Sequence, residues 1–273
     1  MRKSKPAPSA SIKPISNTRP LILGHRGASA VAPENTLAAF ARAFDDGADG
    51  IELDVRLSRD GVPVVIHDAT LQRTGLVKGD VEQLTAAQLA KIDIGSWFNR
   101  AYPALARGEY AEQRLPRLSQ VLERCRPRPG VIYIELKSQS GTATDNLVRS
   151  VAEAITEFEF QRRTVVVSFD HDAIATTKAL AATIRTGALF APTHRRRSAW
   201  RREKILRAAG DCGADEILLH RALVRRNLVE QARDRNFPVV AWTVDDSKWI
   251  ERAQTLGVHA LITNDPAKML AVA

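Results

Sequence analysis

The sequence predicts an α/β protein folded as a closed (β/α)8 barrel, and three observations lead there. Short runs of β-branched and aliphatic residues recur along the chain with amphipathic helical patterns between them, the alternation that parallel strands joined by crossover helices produce. The runs number eight, the strand count of such a barrel. No GxGxxG or P-loop motif follows the first run, so an open, doubly wound nucleotide-binding sheet rests on the alternation alone.

Leu21–Gly24 is the first run and leads into His25. Asn35 then reads as a helix N-cap, because its side-chain oxygen can accept a backbone N–H that the helix leaves unpaired. Leu37, Phe40 and Phe44 share one face of that helix, and Gly47 suits its C-terminal cap. Gly50–Val55 is the second run. More than sixty residues separate His67, at the end of PVVIH, from the third run, Val131–Leu136. That connection holds two helical stretches, Leu84–Ile92 and Arg117–Arg124, of which the second is the barrel's own helix. About 70–115 is therefore a small insertion after the second strand region, and its GSWFNRAYP piece predicts a packed rim or lid rather than a linker. Leu147, Val151, Ile155 and Phe158 form the apolar stripe of the next helix. The remaining runs are Thr164–Ser168, Ile184–Phe190, Glu216–Leu219, Val239–Thr243 and Ala260–Thr263.

Composition bounds the rest. With 273 residues, 44% hydrophobic and 26% charged, the chain suits one large globular domain, residues 21–273. No apolar run approaches the roughly 18 residues that span a bilayer. Residues 1–20 are basic and rich in Pro and Ser, with no apolar stretch of the kind a secretory signal carries. They read as a disordered tail on a cytoplasmic protein. Of the +9 net charge, residues 1–20 hold +5 and the Arg-rich segment 195–207 holds +6, so the remainder carries −2. Neither basic segment interleaves aromatics as a single-strand groove would, although Trp200 lies in the second, and no nucleic-acid partner is expected. Cys125 and Cys212 form no disulfide framework or metal spacing and read as buried structural thiols.

Polar groups at the strand ends point to chemistry. Glu52 and Asp54 are two apart in GIELDV, so a strand's period of two places both on one face. Glu135 and Lys137 repeat the arrangement in VIYIELK. Carboxylates pointing into a barrel must be paired or ligated, since an unpaired buried charge is very costly. Three that converge make a natural site for one divalent cation, Mg2+ or Ca2+; the competing account is a salt-bridge network with Lys137 and arginines. His25 and His67 end separate runs where barrel active sites form, and a histidine pair can supply one general acid and one general base. The absence of GxSxG, HExxH and an HxH pair argues against serine-hydrolase, zincin and amidohydrolase chemistry.

The segment HRGASAVAPENTLAAFARAFDDGADGIELDVRLSRDGVPVVIHDATLQRTG resembles the glycerophosphodiester phosphodiesterases along its whole length. LTAAQLAKIDIGSWF, LPRLSQVLERC, IELK, VVSFD, AWTVDD and LITNDP continue the likeness, which runs from about residue 21 to 268 and is nearest the small cytosolic bacterial type. The resemblance implies a TIM barrel, with Glu52, Asp54 and Glu135 as metal ligands and His25 and His67 as the acid–base pair. It further implies that Arg26 and Lys137 hold the phosphate and that Trp242 packs against the alcohol. The expected activity is metal-dependent hydrolysis of a small-molecule glycerophosphodiester to glycerol 3-phosphate and an alcohol, with no stable membrane anchor. The alternatives are lysophospholipase-D-like action and a non-catalytic barrel that binds a ligand. Around the site, Arg73 and Thr74 are expected to organise the chain after His67. Asn35, Ser168, Phe169, His220 and Asn264 are candidates for supporting contacts. His171, His194 and His259 read as surface or cap residues, and Trp97 and Phe98 as packing within the insertion.

Overall fold

The computed structural model describes residues 19–137, 142–192 and 202–272. The expected tail up to residue 18, His194, Trp200 and the Arg-rich segment as far as Arg201 lie outside them. Nine strands form one sheet: β1 (Leu21–His25), β2 (Gly50–Leu57), β3 (Pro63–Val65), β4 (Val131–Leu136), β5 (Thr164–Ser168), β6 (Arg185–Phe190), β7 (Glu216–His220), β8 (Val239–Trp242) and β9 (Ala260–Thr263). All neighbours are parallel except β2 and β3, and β1 pairs with both β2 and β9, which closes eight strands into a barrel. β1 pairs with Gly50–Glu52 of β2, and β3 pairs with Val55–Leu57. The hairpin thus extends the edge of β2 beyond the end of β1. The predicted (β/α)8 barrel is borne out.

The period of two sorts the side chains. Leu23, Tyr133, Val165, Val167, Leu189, Leu218, Val240, Ala260 and Ile262 fill the barrel. The alternate residues Ile51, Leu53, Val55, Ile132 and Ile134 face outward against Phe40, Leu122, Val151 and Ile155 of the surrounding helices. Each fully buried aliphatic contributes on the order of 1.5–3 kcal/mol of burial free energy. The Tyr133 hydroxyl donates to Glu216 Oε2 at 2.6 Å, and Arg185 lies 3.2 Å from Glu216 Oε1. Cys125 and Cys212 are buried and free, as expected, and burial pushes the Cys125 thiol up to about 11. Among the described residues, no helix is long and apolar enough to cross a membrane.

Two expectations need correction. The cap of helix Leu37–Asp45 is Thr36, whose hydroxyl accepts the Ala39 N–H at 3.1 Å. Asn35, one residue earlier, adopts φ +57°, a left-handed conformation that asparagine tolerates better than most side chains. Its amide is thereby turned towards β2. The stretch Leu84–Ile92 holds only a short helix, Ala86–Leu89: Thr85 and Gln88 form a reciprocal capping box that fixes its start, and beyond Ala90 the chain turns through i→i+3 bonds from Lys91 and Ile92. Gly47 takes φ +89° just beyond its helix, as its position predicts.

The chain between β3 and helix Leu118–Cys125 packs in two places. Ile66, Leu71, Val81, Leu89, Ile94 and Leu115 bury one another against Val64 of β3. Phe98 stands edge-on to both Trp97 and Tyr110, and the Tyr110 hydroxyl donates to the Val31 carbonyl at 3.0 Å. Gly95 is required here, because a β-carbon would collide with the Tyr110 carbonyl. The aromatic piece therefore fastens this segment to the loop that follows β1.

Candidate active site

Register brings the predicted residues to one mouth. His25 is level with Glu52 across β1 and β2, and Asp54 is level with Glu135 across β2 and β4. One carboxylate oxygen from each of Glu52, Asp54 and Glu135 lies within 4.8 Å of the others, and the three residues are 3%, 0% and 8% exposed. Lys137 Nζ stands 2.6 Å from Glu135 Oε1 and 3.0 Å from Asp54 Oδ1. Arg26 has φ +56°, donates its backbone N–H to Glu52 Oε2 at 3.1 Å, and sets its guanidinium between Glu34 at 2.9 Å and Asp54 at 3.1 Å. Asn35 donates to Asp54 Oδ2 at 2.8 Å.

Burial alone would raise Asp54, but Lys137 and Arg26 outweigh it and hold this carboxyl well below the usual range. Glu52 goes the other way, driven far up by burial and by the charges of Asp54 and Glu135. Burial and Asp54 likewise raise Glu135 to about 7. Asp54 Oδ1 faces Lys137 without hydrogen-bond alignment and has no other polar partner. Three carboxylates against two cations, with Asp54 Oδ1 buried and lacking a hydrogen bond, form an all-oxygen donor set that fits a hard divalent cation.

The histidines are tied through the same nitrogen to different partners. His25 Nδ1 lies 2.7 Å from Asn264 Oδ1, and its Nε2 lies 3.9 Å from Glu52 Oε2. Burial, followed by the Arg26 charge, lowers His25 to about 4. His67 Nδ1 lies 2.6 Å from Asp68 Oδ1, and burial lowers it too, against the pull of Asp54. Arg73 holds Asp68 at 2.6 Å and Glu34 at 2.6 Å, and so organises the chain after His67. Its pairing with Asp68, helped by His67, brings that carboxyl down to about 2.

Trp242 ends β8 between two edge-on rings, Phe169 at 5.5 Å and His220 at 5.3 Å. Ser168 donates to the Leu136 carbonyl and links the ends of β4 and β5. Thr74 is buried, and His171, the first residue of helix His171–Leu180, is half-buried against Phe190. Sequence reasoning missed Glu34, Asp68 and Asp245. The first two lie beside recognised residues, in PENT and HD, and adjacency was their only signal.

Comparison with known proteins identifies the family. The model of the glycerophosphoryl diester phosphodiesterase family matches residues 25–268. A glycerophosphodiester phosphodiesterase of Caldanaerobacter subterraneus is 33% identical over 263 residues, covering 92% of this chain and 96% of its own. The chain belongs to the glycerophosphoryl diester phosphodiesterase family. Its members are phosphoric diester hydrolases. Among solved structures, an Oleispira antarctica phosphodiesterase in complex with the product sn-glycerol-3-phosphate superimposes with TM-score 0.81. It is 26% identical and the match covers 93% of this chain and 96% of that one. A glycerophosphoryl diester phosphodiesterase structure from Silicibacter pomeroyi gives TM-score 0.81 at 27% identity, with 93% and 92% covered. The resemblance read from the sequence is borne out at the level of family and fold.

The raised carboxyl has a measurable consequence in this phosphodiesterase family member. A cation held by this donor set would bind the ionised form of Glu135, and a group lifted to about 7 keeps its proton below that pH. Apparent affinity for Mg2+ or Ca2+ is expected to fall as the pH drops through 7, by roughly tenfold per pH unit for each proton displaced. Calorimetric titrations at pH 8 and pH 6 in buffers of different ionisation enthalpy read both the affinity and the protons released. Equal affinity at both values, with no proton release, contradicts this account.

Proposed function

We propose that this protein hydrolyses glycerophosphodiesters to glycerol 3-phosphate and an alcohol. In this reading Glu52, Asp54 and Glu135 hold one divalent cation, Mg2+ or Ca2+, and His25 and His67 form the acid–base pair. The observation that carries it is the convergence at one barrel mouth of a buried carboxylate trio with two histidines, each tied through Nδ1. A bound cation would supply electrostatic stabilisation of the charge that gathers on the phosphoryl oxygens.

The chain's own residues do the rest. Arg26 and Lys137 bring positive charge to the same place and bind the phosphate. Trp242, flanked by Phe169 and His220, packs against the alcohol portion. The partners of the histidines divide the proton work. Asp68 draws His67 towards the imidazolium, against the burial that lowers it, which suits the donor that protonates the leaving alkoxide. His25 leans on a neutral amide, which suits the base that takes the proton of the attacking hydroxyl.

The test is an assay with glycerophosphocholine, in which released glycerol 3-phosphate is read through its oxidation, with and without chelator. Chelator-sensitive release is expected. Hydrolysis of lysophosphatidylcholine in place of glycerophosphocholine moves the protein to the lysophospholipase-D-like class. Binding of glycerophosphocholine without release of either product marks a non-catalytic barrel.

A further inference from the structure

Behind His25, on the side away from the carboxylates, runs a chain of hydrogen bonds with a single direction. Asp245, in the loop after β8, accepts from Asn264 Nδ2 at 2.8 Å and from the Asn264 backbone N–H at 2.8 Å. The Thr263 hydroxyl also donates to it, at 3.0 Å. A carboxylate only accepts, so the amide nitrogen of Asn264 must face Asp245. The opposite flip would set the amide oxygen against the carboxylate oxygen at the same separation. With the nitrogen committed, Asn264 Oδ1 faces His25 Nδ1 at 2.7 Å and the Ser29 hydroxyl at 2.9 Å. That oxygen is an acceptor only. His25 Nδ1 therefore carries a hydrogen in either protonation state of the ring, and in the neutral ring the lone pair is on Nε2, the nitrogen nearer Glu52.

We propose that Asp245, acting through Asn264, is a positioning residue that fixes His25 in its Nδ1–H tautomer and aims Nε2 into the site. Asp245 reaches His25 only through the intervening amide, at strand ends contributed by β8, β9 and β1. The arrangement differs from that of His67, where the carboxylate of Asp68 touches the imidazole directly. Two histidines of one site are thus oriented by two devices. The direct carboxylate favours a charged ring, whereas the amide relay sets the tautomer without placing a negative charge on the ring. The functional part of this inference rests on His25 being the base.

Asp245→Asn tests it, because the replacement keeps shape while letting Asn264 flip and present its nitrogen to His25. Long-range proton–nitrogen NMR on histidine-labelled, metal-loaded protein reads the tautomer, and the signal lost in His25→Gln identifies the ring. Wild-type protein is expected to show protonated Nδ1 and unprotonated Nε2 at His25. Asp245→Asn is expected to show the other tautomer gaining population, with kcat lower by about 10- to 100-fold, the range for outer partners that orient an imidazole, at unchanged KM. A merely structural Asp245 lowers the melting temperature and leaves the tautomer alone. An Nε2–H tautomer in the wild type overturns the proposal without need of any variant. An unchanged tautomer and unchanged kcat in folded Asp245→Asn overturn it as well. Full turnover by His25→Gln would instead remove His25 from the proposed mechanism and leave the spectroscopic result to decide the positioning by itself.

Discussion

His67→Ala is expected to lower kcat by at least ~100-fold in a protein that remains folded, and His25→Ala is expected to match it. Neither ring is a packing element of the barrel: the side chains are 34% and 19% exposed, and each is held by one polar partner at its Nδ1. Truncation therefore removes a proton donor or acceptor and little buried apolar surface, so circular dichroism and the melting temperature should change little. The two variants separate on an activated substrate. A nitrophenyl phosphodiester releases an anion that needs no proton, so the loss of the acid is largely forgiven while the loss of the base is not. His67→Ala should recover most of its rate on that substrate, and His25→Ala should not. The reverse pattern exchanges the two roles, and near-normal turnover by folded His67→Ala on glycerophosphocholine removes that residue from the mechanism.

The barrel and the carboxylate part of the candidate site were legible because both follow from a short period. Glu52 and Asp54 had to share a face once GIELDV was a strand, and parallel register then placed Asp54 beside Glu135. The contacts that the sequence did not show are made by loop residues, where no period operates. Asn35 occupies a plausible capping position, and only its left-handed backbone, φ +57°, turns it onto Asp54. Glu34, Arg73 and Asp68 come from two loops after β1 and β3 and meet 39 residues apart in sequence. Asp245 and Asn264 follow different strands, separated by 19 residues, and neither spacing carries a recognisable pattern. Helix Ala86–Leu89 is shorter than the apolar periodicity through Ile92 implies, because beyond Ala90 the backbone turns through i→i+3 bonds, Lys91 N–H to Gln88 and Ile92 N–H to Leu89.

Removal of the divalent cation is expected to abolish turnover, and Glu135→Gln to imitate that removal without unfolding the protein. The reason is electrostatic. Glu52, Asp54 and Glu135 bring three carboxylates within 4.8 Å of one another, and a like-charge pair ~4 Å apart costs roughly 4 kcal/mol at an effective dielectric near 20. Lys137 and Arg26 already pair with Asp54, Glu135 and Glu34, yet burial together with the Asp54 charge still lifts Glu135 to about 7. An anionic phosphodiester adds to the same repulsion. Glutamine in place of Glu135 keeps an oxygen for Lys137 and removes one negative charge, so the metal-free variant should melt no lower than the metal-free parent. It loses a ligand, however, and its affinity for Mg2+ or Ca2+ should fall at least ~10-fold. The melting temperature gives a readout independent of activity. A cation at 100 times its dissociation constant stabilises the parent by about 2.7 kcal/mol, and the same concentration should lift the variant by about 1.4 kcal/mol at most. Full turnover by parent protein that elemental analysis finds free of metal after exhaustive chelation would overturn the metal-dependent reading. The carboxylate trio would then have to act as a salt-bridge network around Lys137 and Arg26, with the histidine pair left to carry the chemistry.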